Sequence, residues 1–299
     1  MSSNPAQQIN AHLLNDRLLG WEVLEVRGAD ATAFLQRQSM NDVVALNAQG
    51  DAGQSHWNGL LTAKGRLQGL FLLFKAAADA WWLIAPDVTA HGLKELLRPF
   101  VLRSKLEMIE REDLAAFGYW NADANARTWQ SMSSSLGADQ SARFAFPAER
   151  GSRELRIQPR SLIAVASAAD ARWRLDDLRC GLPRLSASLG DSWTPHMLGL
   201  ERLQAFSLKK GCYPGQEIVA RTHYLGRNKR HLQRFDADHG IEIDAMVTNS
   251  DGEEIGNTIC NASSADDHTA LVVTGLQSLH GARLRQSELD LRPIAFAGI

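Results

Sequence analysis

The densest cluster of chemistry in this sequence is Lys209-Lys210-Gly211-Cys212-Tyr213-Pro214-Gly215-Gln216-Glu217. Cations beside a thiol favour its ionised, nucleophilic form. Glycines permit positive φ and let backbone approach another group closely. A helix starting after Pro214 would add the positive field of its amide end. Glu217 is placed to answer one of the lysines by ion pairing. Cys212 is therefore the candidate reactive group and Lys210 its candidate activator. The competing reading is a Gly-Pro turn around a cysteine that is merely buried, since unpaired cysteines are among the most buried residues.

The next stretch is basic. Ile218 to Phe235 holds no acidic residue and carries Arg221, Arg227, Lys229, Arg230 and Arg234. Such a patch suits a phosphate, a polyglutamate tail or RNA, or is a solvated loop. Tyr213 and Tyr224 offer aromatic surface nearby, without the spacing of an RNA-binding motif. Eight tryptophans are a third feature. Most suit a core, but Trp21 and Trp173 open a strand and a helix, where an indole can also wall a site for a heterocycle. The sequence contains no His-Glu-x-x-His, Gly-x-Ser-x-Gly, Gly-x-Gly-x-x-Gly or Gly-Lys-Ser/Thr phosphate loop. His91, His239, His268 and His280 are scattered and read as surface or hydrogen-bonded residues.

The elements that must position these groups follow from patterning. Trp21–Val26 reads as a strand, and Asp30 as the N-cap of a helix carrying Phe34, Leu35 and Gln38. Trp57–Leu61, Leu67–Phe74 and Trp81–Ala85 read as consecutive antiparallel strands, joined by turns at 63–65 and 75–80. Their near-continuous apolar character predicts cover on both faces. Asp87 is a candidate cap for a helix over 88–97, which Pro99 ends. Arg103–Glu110, Glu154–Ile157 and Leu162–Val165 read as strands, the Ala/Ser/Arg-rich stretch 121–150 as a helix. A further helix spans Trp173–Cys180, ended by Gly181 and Pro183. After Arg234 come short β-like runs at 241–243, 255–259, 270–274 and 282–284, the texture of a small barrel or sandwich. The pattern predicts α+β rather than doubly wound α/β, with a boundary near residue 230.

The 299 residues suffice for two or three domains. A formal net charge of −2 argues against a strongly basic nucleic-acid binder. Cys180, Cys212 and Cys260 are widely spaced and odd in number, which fits neither a disulfide framework nor a Cys-x-x-Cys metal site. The first residues lack a basic region followed by an apolar one, and no apolar run is long enough to span a bilayer, so a cytoplasmic location without membrane contact is expected.

Lys210 to Glu217 resembles the Lys-Gly-Cys-Tyr-x-Gly-Gln-Glu signature of the YgfZ family of folate-binding proteins, which is related to the T-protein (aminomethyltransferase) of the glycine cleavage system. Ile-Val-Ala-Arg and Leu-Gly-Arg-Asn-Lys-Arg, at 218–221 and 225–230, match the usual continuation. The resemblance extends over nearly the whole chain, through the opening strand and helix at Trp21–Val43, the Ala63-Lys64-Gly65-Arg66 turn, Trp173 and Gly181-Leu182-Pro183. Thr62 stands where the family usually has Asp. Trp193-Thr194-Pro195-His196 stands where Phe-Ile-Pro-Gln is frequent, and Gly199-Leu200 replaces Asn-Leu.

The resemblance implies a GcvT-like α+β fold. Two interleaved ferredoxin-like subdomains would occupy 1–229, the inserted one roughly 50–140. A C-terminal β-barrel at 230–299 would complete a ring around a channel that binds tetrahydrofolate or a related reduced folate. It carries folate contacts onto Trp21, Trp173, Tyr213, Gln216, Glu217 and Arg221, and the functional motif onto Cys212 and Lys210, with no metal ligands. It implies an accessory role for iron–sulfur enzymes such as a tRNA methylthiotransferase, with a tRNA contact through Arg221–Arg234. A folate-dependent one-carbon transferase or demethylase is the alternative. A glycine-cleavage reaction is not expected, because Gly65-Arg66-Leu67-Gln68-Gly69 holds no carboxylate where those enzymes have aspartates.

Overall fold

Leu67–Phe74 shows why a continuous apolar run can be a strand. Successive side chains leave opposite faces of a sheet. Leu70, Leu72 and Phe74 enter one core, while Phe71 and Leu73 enter another on the far side. A computed structural model describes residues 17–297, apart from 51, 122–127, 138, 140, 161–167, 186–191, 227 and 276–278. Sixteen strands are described: β1 (Arg17–Leu18), β2 (Trp21–Arg27), β3 (Ser55–Leu61), β4 (Leu67–Ala77), β5 (Ala80–Pro86), β6 (Glu107–Glu110), β7 (Leu114–Asn121), β8 (Ser133–Leu136), β9 (Ala142–Pro147), β10 (Ser152–Pro159), β11 (His231–Ala237), β12 (Met246–Thr248), β13 (Glu254–Ser263), β14 (His268–Thr274), β15 (Arg283–Leu284) and β16 (Arg292–Ile294).

They form three antiparallel sheets, ordered β3-β4-β5-β2-β6, β1-β7-β10-β9-β8 and β15-β12-β13-β14-β11-β16. The first sheet carries helices Ala31–Gln38 and Ala90–Leu97 on one face, where Phe34, Leu35, Leu93 and Leu97 close a core with Leu24, Phe71 and Leu83. Its other face meets the second sheet and the helix Ala168–Arg179, burying Trp57, Leu72, Phe144, Phe146 and Trp173 together. Leu232, Ile259, Leu271 and Val273 of the third sheet join that same core. Helices packed on faces of antiparallel sheets make this α+β.

The third sheet closes on itself. Leu284 donates to the Leu289 carbonyl (2.9 Å) and Leu291 to that of Ala282 (2.8 Å), so edge strand β15 pairs with the residues that lead into the opposite edge, β16. Closure satisfies edges that would otherwise be exposed. Among the described residues no helix is long and apolar enough to cross a membrane.

Several local expectations are corrected. The helix at 88–97 is capped by Thr89, whose Oγ1 accepts from Gly92 N (2.9 Å), and starts at Ala90. Asp87 has φ 63° and turns its carboxylate to Arg174 and Arg184 instead. Where described, the stretch 121–150 holds strands β8 and β9 and a single helical turn, Trp129–Ser131, in place of the expected helix. Ala142, Phe144 and Phe146 are buried on every second residue, a period of two that overrides the helix-compatible composition around it. The strand expected over 103–110 is confined to Glu107–Glu110, and 241–243 is a loop. Leu162–Val165 lies outside the described residues.

Candidate functional site

Two motifs far apart in sequence lock together around glycines. Gly215, with φ 78°, precedes the helix Gln216–Leu225. A Cβ there would lie 2.6 Å from the Thr62 carbonyl oxygen and 2.7 Å from Gly65 Cα. Gly65, at φ 69°, is equally confined: its Cβ would lie 2.7 Å from Ile218 Cβ. The 63–65 turn and the start of the helix therefore touch backbone to backbone, which only glycine permits. A Cβ on Gly211 would meet nothing within 4 Å, so the close approach expected of both motif glycines holds for one.

The helix does begin just beyond Pro214, and Cys212 is exposed, in the loop before it. Cys180 and Cys260 are buried, and burial pushes their thiols up to about 12 and about 11. Lys210 turns inward. Its buried Nζ donates to the carbonyls of Ser39 (2.6 Å) and Asn41 (2.8 Å), and burial lowers its pKa to about 8 against the opposing pull of Asp42. Its ammonium thus anchors the motif to the 39–41 segment, and lies 5.1 Å from the Tyr213 ring. Tyr213 is buried, its hydroxyl 3.5 Å from the Ser207 carbonyl, and burial raises its pKa to about 12. Gln216 donates to the Lys210 carbonyl (3.3 Å). Glu217 pairs with Arg221 one helical turn on, both on the exposed face, rather than with a lysine.

The basic stretch is thinner in space than in sequence. Arg234 is buried, bound to Glu149 (3.0 Å) and Asp236 (2.8 Å). Lys229 and Arg230 are exposed, and Arg227 lies outside the described residues.

Beside the motif opens a cavity of about 600 Å³. Its lining includes Asn41, Asp42, His56, Trp57, Trp129 and Ser207 to Lys209. Asn41 braces this wall, its Nδ2 donating to the carbonyls of Trp57 (2.9 Å) and Gln204 (2.7 Å). Asp42 caps the helix Val43–Asn47, accepting from Ala45 N (3.0 Å). Burial and the nearby Lys210 push the His56 imidazole down to about 3, with Asp42 opposing.

Trp21 and Trp173 belong to the same aromatic cluster as the cavity tryptophans. Phe146 stands at its centre, with ring centroids 6.1 Å from Trp21, 5.9 Å from Trp57, 5.4 Å from Trp129 and 5.8 Å from Trp173. Trp129 Nε1 donates to the Cys180 carbonyl (2.7 Å). The indole N–H groups of Trp21, Trp57 and Trp173 are buried without a protein partner among the described residues, a costly arrangement unless an acceptor is supplied. Trp21 borders a separate cavity of about 310 Å³ with Arg17, Glu22 and Arg160, and Trp173 is fully buried, lining neither cavity.

Buried charge holds these two rings. Arg153 lies 4.3 Å from the Trp173 ring and Arg184 lies 5.4 Å from that of Trp21. Asp177, without solvent exposure, bridges both guanidiniums at 2.7 and 2.6 Å. Asp87 takes Arg184 (2.7 Å) and Arg174 (3.0 Å); burial opposes its ionisation, but the two arginines hold its carboxyl below the usual range.

Trp57, Trp129, Asn41 and His56 carry no signal of a site in the sequence. Trp57 sits in an apolar strand and reads as core, and Trp129 lies in a stretch whose composition suits a helix. Their shared wall comes from tertiary pairing that no local pattern encodes.

No protein-family profile matches the chain. In fold it is similar to aminomethyltransferase T of the glycine cleavage system from Bartonella henselae, with a TM-score of 0.66, 14% identity, and 98% of this chain and 89% of that one covered. The architecture is thus the aminomethyltransferase-like, or GcvT-like, α+β fold. In sequence it is 28% identical over 288 residues to an uncharacterized protein of Haemophilus influenzae, covering 93% of this chain and 95% of that one. It is 30% identical over 238 residues to the tRNA-modifying protein YgfZ of Aliivibrio fischeri, covering 76% and 71%. A YgfZ protein of Cronobacter sakazakii matches at 26% over 255 residues, covering 80% and 75%. The chain belongs to the YgfZ family of tRNA-modifying proteins.

Proposed function

We propose that this protein binds a reduced folate and uses Cys212 to assist the assembly or repair of iron–sulfur enzymes in the cytoplasm, and so supports tRNA methylthiolation. One observation carries the reading: the exposed thiol lies on the loop whose preceding residues, Ser207 to Lys209, wall a cavity that also presents Trp57 and Trp129. A tetrahydrofolate fits the chemistry of this region. Its pterin is a flat heterocycle suited to indole walls, and its ring nitrogens and carbonyl can accept from unpartnered indole N–H groups such as that of Trp57. Its glutamate tail would meet Lys209, with Lys229 and Arg230 as further exposed cations. When bound, the folate supplies a carrier for a one-carbon unit.

In this reading Lys210, Tyr213 and Gln216 hold the thiol loop in place. Trp21 and Trp173 shape the aromatic cluster from behind, and Glu217 and Arg221 present an ion pair to a partner or to the folate tail. Residues 1–229 form the folate-binding unit and 230–299 the barrel. Lys229, Arg230 and Arg227 are the candidates for a tRNA or enzyme contact.

A one-carbon transferase or demethylase is the second reading, favoured by a carboxylate, Asp42, on the cavity wall. Complementation separates the two. In a strain lacking its own copy, Cys212→Ala is expected to lower methylthiolated tRNA at least tenfold by mass spectrometry while Asp42→Asn retains it. Full methylthiolation with Cys212→Ala contradicts the thiol role.

A further inference from the structure

Three metal-ligating side chains converge at the edge of the cavity, and the folate reading uses none of them. His196 and Glu201 come from the turns at 194–204, and His223 from the helix Gln216–Leu225. One ligand atom from each lies within 4.8 Å of the others. Glu201 and His223 line the 600 Å³ cavity.

The state of His196 gives the cluster its meaning. The side chain is only 4% exposed, yet neither ring nitrogen has a hydrogen-bond partner among the described residues. Its Nε2 sits 3.2 Å from Glu201 Oε1 without making a hydrogen bond. A buried polar atom left unsatisfied costs free energy, and native structures almost always supply a partner. The ring is nonetheless held firmly. It packs 5.0 Å from Phe206 and 6.1 Å from His223, and its backbone carbonyl accepts from Asn228 Nδ2 (3.1 Å). A fixed imidazole aimed at a carboxylate and a second imidazole is a preformed ligand.

We propose that His196, Glu201 and His223 bind one divalent transition-metal ion at the rim of the cavity. Two imidazoles and one carboxylate are a ligand set that zinc and non-haem iron use when a coordination position is left open for water or another ligand. Ligand atoms about 2.0–2.1 Å from the ion in a tetrahedral site stand about 3.4 Å apart. The observed spread of up to 4.8 Å therefore has to contract by up to about 1.4 Å. Glu201 and His223 are both exposed and can turn inward to do this, while His196 stays in place. Glu201 and His223 line the cavity, so an ion held between them would border whatever the cavity takes. The site rests on this geometry alone and stands whether or not the cavity takes a folate.

The test is zinc binding to the full-length chain, free of any histidine tag and stripped with chelator, followed by competition with a chromophoric chelator. The wild type is expected to take up one Zn²⁺ per chain. His223→Asn and Glu201→Gln, both at exposed positions where the fold is preserved, are each expected to weaken binding at least tenfold. His239→Asn, an exposed histidine elsewhere, is expected to leave it unchanged, and so is Cys212→Ser. No uptake by the wild type, or equal affinity in His223→Asn and Glu201→Gln, overturns the proposal. Loss of zinc in Cys212→Ser with retention in His223→Asn also overturns it, by moving the ion to the thiol.

Discussion

Replacing Gly215 with alanine separates a structural demand from mere sequence likeness. At φ 78° an L-residue pays about 1–2 kcal/mol for the left-handed conformation alone. The new methyl would also lie 2.6 Å from the Thr62 carbonyl oxygen and 2.7 Å from Gly65 Cα. These are backbone atoms that cannot swing aside, and forcing such overlap adds about 1–3 kcal/mol. Gly215→Ala is therefore expected to lose about 2–5 kcal/mol in urea unfolding. The thiol loop should lift from the 63–65 turn at the same time. Gly211→Ala is the control. Nothing lies within 4 Å of its Cβ position, and its φ is not positive, so the variant should fall between no change and a gain of about 1 kcal/mol. A loss below about 1 kcal/mol for Gly215→Ala, or an equal loss for both variants, would refute the interlock.

The cysteines should divide by burial. In the native protein a disulfide reagent such as DTNB is expected to modify one thiol quickly, and three after denaturation, because Cys180 and Cys260 are buried. Cys212→Ser should label none quickly; rapid labelling of that variant would contradict the assignment. Acid stability should depend on His56. Its folded pKa of about 3 lies below the unfolded value of about 6.5, so between these limits the unfolded chain binds the extra proton. Stability is then complete above about pH 6.5 and falls as pH drops toward 3. Between pH 7 and 5 the contribution is on the order of 2 kcal/mol. His56→Gln should flatten the stability profile over that interval by this amount, measured in chelator, and an unchanged slope would count against a half-buried imidazole held neutral.

Much of the fold is legible in the sequence because its strongest signals are local. The apolar strands over 57–85 and the later part of the helix Ala168–Arg179 are set by periodicity and by Gly and Pro stops, whereas its start, five residues before Trp173, is not visible in the pattern. The class of fold follows from their order. Asp87 misleads because a carboxylate before a helix looks like a cap, whereas its partners Arg174 and Arg184 are about ninety residues away. Arg234 reads as part of a basic surface because one of its two acidic partners, Glu149, comes from the turn after β9, far back in the chain, and the other, Asp236, falls just past the basic run. The motif at 209–217 is visible as a unit, and its cysteine is exposed rather than buried in a turn. The direction of Lys210, away into the 39–41 carbonyls, is not visible, since it depends on a segment 169 to 171 residues distant. The cavity walls and the His196, Glu201, His223 cluster likewise join side chains that only tertiary packing brings together.

Titration with tetrahydrofolate, followed by tryptophan fluorescence and calorimetry, probes the proposed folate site in the aromatic cavity beside the exposed Cys212 loop most directly. Saturable one-to-one binding is expected, with the fluorescence change reduced and the affinity weakened at least tenfold in Trp57→Ala, and with affinity unchanged in Cys212→Ser. Absence of binding to the wild type, or binding that is indifferent to Trp57, would contradict it.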